Sequence, residues 1–224
     1  MSDAPGVIPF EINDCALVGI ATGRRAQSLR EMRDILQDIH PGSIYYHFWG
    51  HLLRPAFDNP EYMNDFAGWA HGCLHDRRLA EQLGVIDAAE FDDLEALRQE
   101  VIDVIEERLD ESEIVPWVQA DRQFHFIRSQ IVVFDTHAVI EDPRDLVDVI
   151  PTMSLGSIFY HFIDAGTREP RGTSDFVSWL TSAGEEYADL CVELNAIDPY
   201  FAPLIEVRQN LAEILSDYFG REPQ

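Results

Sequence analysis

The chain contains no lysine, and all 16 basic residues among its 224 are arginine. Without a side-chain amine, Schiff-base chemistry, lysine general bases and the phosphate-binding lysine of a P-loop are excluded together. Cysteine is scarce too. Cys15, Cys73 and Cys191 are an odd number at wide spacing, which fits neither a disulfide scaffold nor a zinc ribbon and points to a reducing compartment. No apolar run approaches the roughly 20 residues of a membrane helix. Met1 to Glu11 has no basic stretch leading into an apolar one, so nothing marks the chain for secretion and a cytoplasmic location is expected. Positive charge is short overall: 41 acidic residues set the net charge at -25 and the isoelectric point near 4.4. Such a surface repels phosphate backbones and anionic lipid, so neither nucleic acid nor membrane is an expected partner. No G-x-S-x-G, G-x-G-x-x-G, C-x-x-C or H-E-x-x-H occurs, and with them go the common hydrolase, dinucleotide, redox and zincin signatures.

What is present suffices for a large core, with 46% hydrophobic and 25% charged residues. The strongest signal is internal repetition. Gly42-Ser43-Ile44-Tyr45-Tyr46-His47-Phe48 returns as Gly156-Ser157-Ile158-Phe159-Tyr160-His161-Phe162. Asp65-Phe66 and Trp69 match Asp175-Phe176 and Trp179; Arg98-Gln99 matches Arg208-Gln209; Thr22, Arg30 and Asp34 align with Thr136, Arg144 and Asp148. The expected organisation is one compact domain over 1–224 made of two repeats, 15–109 and 131–219. Residues 110–130 connect them and lead into a strand.

Each copy reads as one strand plus about four helices. Cys15 to Thr22 and Phe124 to Thr136 are rich in β-branched and aromatic residues and predict strands. Ser28 with Glu31 forms a capping box opening a helix that Pro41 closes, while Asp142 caps its counterpart with Pro143 at the first helical position. Ser43 and Ser157 are expected to cap the next helix, ending near Arg54-Pro55 in the first copy; Asn64 and Ser174 cap the third. The last helix, Phe91 to Leu109, and its partner around Leu204 to Leu215 each show one apolar stripe. The expected fold class is therefore α+β and predominantly helical, a tandem duplication with pseudo-twofold symmetry.

Two sets of side chains are candidates for a site. His47 and His161 lie on apolar helix faces beside Tyr46 and Tyr160. They read either as buried histidines satisfied by a backbone carbonyl, a tyrosine hydroxyl or a carboxylate such as Asp65 or Asp175, or as polar pockets orienting a small ligand. Arg98 and Arg208 sit at matching positions in apolar and acidic helices. Each is expected to make an ion pair, to Glu95 or Asp87 in the first copy, or to hold an anion beside the His and Tyr. The second set is His47, His51, His71 and His75, two pairs at helical spacing that could bind a divalent metal such as zinc. Against it, only His161 is kept in the other copy, with Ala165, Thr181 and Glu185 at the remaining positions.

The Ser43 to His47 and Asn64 to Trp69 blocks, with Leu97-Arg98, resemble an uncharacterised bacterial domain family of unknown function. Its members carry Ser-Ile-Tyr-Tyr-His before a His-rich helix and then Asn-Asp-Phe-Ala-x-Trp. The resemblance covers most of both copies and implies no activity. The His-rich helices alone are similar to the His triad of DinB-type helical-bundle metalloenzymes, whose architecture has no place for the strands. The expected function is a non-catalytic binding or accessory protein without cofactor, meeting a basic protein partner or a small ligand in the His/Tyr pockets. The alternatives are a metal-dependent hydrolase using the four histidines and a structural subunit of a complex.

Overall fold

A computed structural model describes residues 8–53, 62–111, 115–168, 172–200 and 202–221. The expected helix end at Arg54-Pro55 lies outside the described residues. Ten α-helices and a two-stranded sheet make the fold α+β and mostly helical among the described residues. Strand β1 covers Phe10–Ala26 and β2 Phe124–Ile140. They run antiparallel, since Thr22 near the end of β1 donates its hydroxyl to Phe126 O near the start of β2, and Thr136 donates to Ile12 O at the other end.

The chain divides into two compact units, 17–131 and a split unit of 1–16 with 132–224. Each strand changes unit midway. The 17–131 unit holds the end of β1, helices α1 (Leu29–Leu36), α2 (Pro41–Leu53), α3 (Asp65–Gly72), α4 (Arg77–Gly84) and α5 (Leu94–Asp110), and the start of β2. Ser28 accepts from Glu31 N at 3.2 Å and Glu31 accepts from Gln27 N at 2.7 Å, which satisfies donors that open α1. Asn64 and Asp76 cap α3 and α4 in the same manner. Helix α5 buries Leu97, Val101, Ile102 and Ile105, each such side chain contributing about 1.5–3 kcal/mol of transfer free energy.

The split unit holds the start of β1, the end of β2, α6 (Leu146–Val149), α7 (Leu155–Ile158), α8 (Asp175–Ala183), α9 (Ala188–Asn195) and α10 (Leu204–Arg221). Asp142 accepts from Arg144 N with Pro143 opening a short 3-10 turn ahead of α6, and Ser174 caps α8. Helix α7 continues through a wider π turn, Phe159–Ile163. Leu204, Val207, Leu211 and Leu215 of α10 are all buried.

Two expectations need correction. Among the described residues each strand is accompanied by five α-helices rather than about four, because α4 is two amphipathic turns burying Leu79, Ala80 and Leu83, too short to stand out by periodicity. Ser43 and Ser157 are not caps. Helix α2 starts at Pro41, three residues before the start a Ser43 cap would give, and His40 Nδ1 accepts from Gly42 N at 3.0 Å. Helix α7 is capped by Ser154, which accepts from Ser157 N at 2.9 Å. Ser43 and Ser157 are consequently buried inside the first turn.

Candidate functional site

The residues around His47 come from α2, α3 and the start of β2. His47 is buried, its Nδ1 2.8 Å from Asp65 Oδ2 and its Nε2 3.1 Å from the backbone nitrogen of Ile127. A backbone N–H can only donate, so Nε2 is the acceptor; the neutral ring then carries its proton on Nδ1 and donates to Asp65. Phe124 and Phe66 flank the imidazole with ring centroids 4.7 and 5.3 Å away. Trp69 sends its indole N–H to Arg122 O at 2.8 Å.

The same set recurs in the split unit with different strand residues. His161 Nδ1 lies 2.8 Å from Asp175 Oδ2, and Nε2 accepts from Asn13 N at 2.8 Å. Phe10 packs on His161 at 4.9 Å, and Trp179 donates to Ile8 O at 2.6 Å. Cys15 donates its thiol to Gly156 O, as Ser129 donates its hydroxyl to Gly42 O. Every strand partner in one unit stands 114 positions from its counterpart in the other, the separation of His47 and His161. The strands press so close to the helix starts that a Cβ on Gly156 would lie 2.5 Å from Cys15 O, and one on Gly42 3.2 Å from Ser129 O. Glycine therefore belongs to the site, and its place at the head of both Gly-Ser-Ile blocks was the signal for it.

Arg168 is the residue the sequence reading missed. It lies on the Tyr160 ring at 4.1 Å and donates to Tyr160 O at 2.7 Å and Asp175 Oδ2 at 2.9 Å. Its Nε is 3.1 Å from Asp164. Burial works against its charge, but Asp175, Tyr160 and Asp164 outweigh it and raise the guanidinium pKa. Arg54 stands at the matching sequence position, which could have pointed to Arg168; it lies outside the described residues. Cys15 is pushed up to about 12 by burial first and then by Asp164 and Asp14, so its thiol stays protonated.

Tyr46 and Tyr160 lie edge-on to His47 and His161 at 5.3 and 4.9 Å. Arg98 and Arg208 do not join them. Arg98 is buried, faces Glu95 at 3.3 Å and donates to Leu36 O and Gln37 O, the terminal carbonyls of α1. Arg208 donates to Met153 O at 2.7 Å. These arginines bond the carbonyl ends that a helix leaves unpaired. The four histidines of the metal alternative are not gathered. His71 packs beside Tyr62, and the exposed His75 pairs with Asp121 at 2.7 Å. His51 lies in the last turn of α2. No group of three or more His, Cys, Asp or Glu among the described residues is arranged to hold a metal ion. A cleft of about 230 Å³ in the 17–131 unit is lined in part by Leu29, Leu74, His75, Asp76 and Arg108, and neither Tyr46 nor His47 lines it.

A mostly helical α+β protein with paired His–Asp clamps matches a family that has a model but no assigned activity. The chain belongs to DUF5752, a family of unknown function, whose model matches residues 7–216. It is similar to the solved structure of OrfY from Thermoproteus tenax, with a TM-score of 0.82 and 26% identity over 97% of this chain and 99% of that one. No curated protein matches it. No helix among the described residues is long and apolar enough to cross a membrane.

Proposed function

We propose that the chain is a non-catalytic binding or accessory protein of a reducing, cytoplasmic compartment, recognising a basic protein partner. The observation that carries this is the engagement of both ring nitrogens of His47 and of His161 by a carboxylate and a strand N–H. A general base needs a free lone pair toward its substrate, and these imidazoles direct theirs at the chain's own backbone. Their role is to hold strand on helix. The net charge of -25 favours a partner rich in Arg or Lys by electrostatic steering. The separation of 114 residues that links the hydrogen-bonded sets also supports descent from a duplicated unit. In that reading the first half of each copy's strand packs on the helices of the other copy.

The test combines metal analysis and partner capture on purified full-length chain. The expected result is no stoichiometric metal lost on His47→Ala, and basic proteins retained at low salt and released at high salt. Stoichiometric zinc that disappears in His47→Ala, together with metal-dependent hydrolysis, would establish the metalloenzyme instead.

A further inference from the structure

Strand β2 changes character along its length. From Phe124 to Phe126 buried and exposed residues alternate, as expected where helices cover one face. From Val132 to Val139 every residue is exposed, so neither face of this stretch is covered. The sheet has two strands among the described residues, and β2 can pair with β1 along only one of its edges. The uncovered stretch is apolar where solvent would favour charge: Val133 is 44% exposed, Phe134 51% and Val139 52%. An exposed hydrophobic edge of this kind is a template for another strand. His137, at φ 59°, breaks the extended run and confines regular pairing to Val132 through Asp135.

Charge selects the occupant. The neighbouring sequence carries Glu11, Asp14, Asp135, Glu141 and Asp142, and residues 129–143 contain no arginine. A second copy added at this edge would set like charges against one another across the pairing, which is destabilising. Opposite charges in that position are favourable. We propose that the edge of β2 at Val132–Asp135 docks an extended segment of a partner protein in which apolar residues alternate with Arg or Lys. The backbone of the segment pairs with β2, its apolar side chains cover Val132 and Phe134 on one face, and its cations lie on the other face with Asp135. This rests on the reading of a basic partner and names where and how that partner binds.

The experiment uses the full chain and a short labelled peptide of alternating arginine and valine, followed by fluorescence anisotropy at low salt. Saturable binding is expected, weakened roughly tenfold or more by Phe134→Arg and by N-methylation of alternate peptide amides, which removes the pairing donors. Val192→Arg, on α9 at a position 70% exposed, should bind like the parent. A peptide of alternating glutamate and valine should not bind. Absence of binding overturns the proposal. So does binding indifferent to N-methylation and Phe134→Arg, which would leave the basic-partner reading intact and move the contact elsewhere on the acidic surface. Self-association in sedimentation that Phe134→Arg abolishes would make a second copy the occupant and overturn it as well.

Discussion

Asn13 and His161 are joined by a 2.8 Å hydrogen bond across 148 positions of sequence, from a strand N–H to Nε2. Asp175 holds the opposite ring nitrogen, so one imidazole links the first strand to two helical elements of the split unit. His47 makes the same link between Ile127 and Asp65.

Removing either ring leaves a strand N–H without its acceptor and a void among Phe10 and Phe176 or Phe124 and Phe66. His161→Ala and His47→Ala should each lose about 2–4 kcal/mol in urea unfolding. A loss under about 0.5 kcal/mol would show that the clamps do not matter to stability.

The hydrogen-bond geometry dictates the tautomer. In the neutral rings of His47 and His161, nitrogen NMR should find a pyrrole-like Nδ1 and a pyridine-like Nε2. The reverse pattern would contradict the donor from Ile127 or Asn13.

Gly23 and His137 occupy matching positions, at φ 76° and 59°. Left-handed backbone costs a residue with a Cβ roughly 1 kcal/mol, and the exposed His137–Asp135 pair offsets little of that. His137→Gly should therefore raise stability, and Gly23→Ala lower it, each by up to about 1 kcal/mol in thermal or urea unfolding. No change in either variant, or changes of the reverse sign, would mean the bend is not held in the left-handed region.

Gly156→Ala should cost about 3 kcal/mol, because the new methyl meets backbone, Cys15 O, and the Asp14 carboxylate. Gly42→Ala has more room beside Ser129 O and should cost less. Calorimetric melting of the two variants ranks them directly.

The Cys15 thiol, raised to about 12 from 9.0, should react with iodoacetamide at pH 8 about three orders of magnitude more slowly than an ordinary thiol. The unfolded chain loses this proton from about pH 9 while the native chain keeps it until about 12. The thiol's contribution to stability is thus complete below pH 9 and declines as pH rises toward 12. Rapid labelling of Cys15 in the folded protein would refute the burial assigned to it.

Much of the local architecture was readable in advance. Ser28, Asn64, Asp142 and Ser174 cap where a short polar side chain precedes an apolar run, since a cap bonds a backbone N–H two or three residues ahead. Ser43 misled because the same residue type is also accommodated inside a turn once Pro41 has opened the helix. The Glu95 partner of Arg98 was visible at helical spacing, whereas its bonds to Leu36 O and Gln37 O span about sixty positions and leave no trace in periodicity. His47 with Asp65 could be paired from matched blocks in the chain, but the other half of the clamp could not. Ile127 N carries no side-chain signature, and which strand segment reaches His47 depends on where the chain turns.

By itself, then, the sequence determined most of the helices, the caps at Ser28, Asn64, Asp142 and Ser174, the acidic lysine-free composition and the recurrence of the His–Tyr block, because these are properties of composition or of residues within a few turns of each other. Tertiary structure alone decided that each strand divides between two units, that Gly156 must admit Cys15, that Arg98 and Arg208 serve carbonyls, and that the far half of β2 stays bare. Those outcomes depend on backbone groups brought together over long separations, and backbone groups are the same at every position of the sequence.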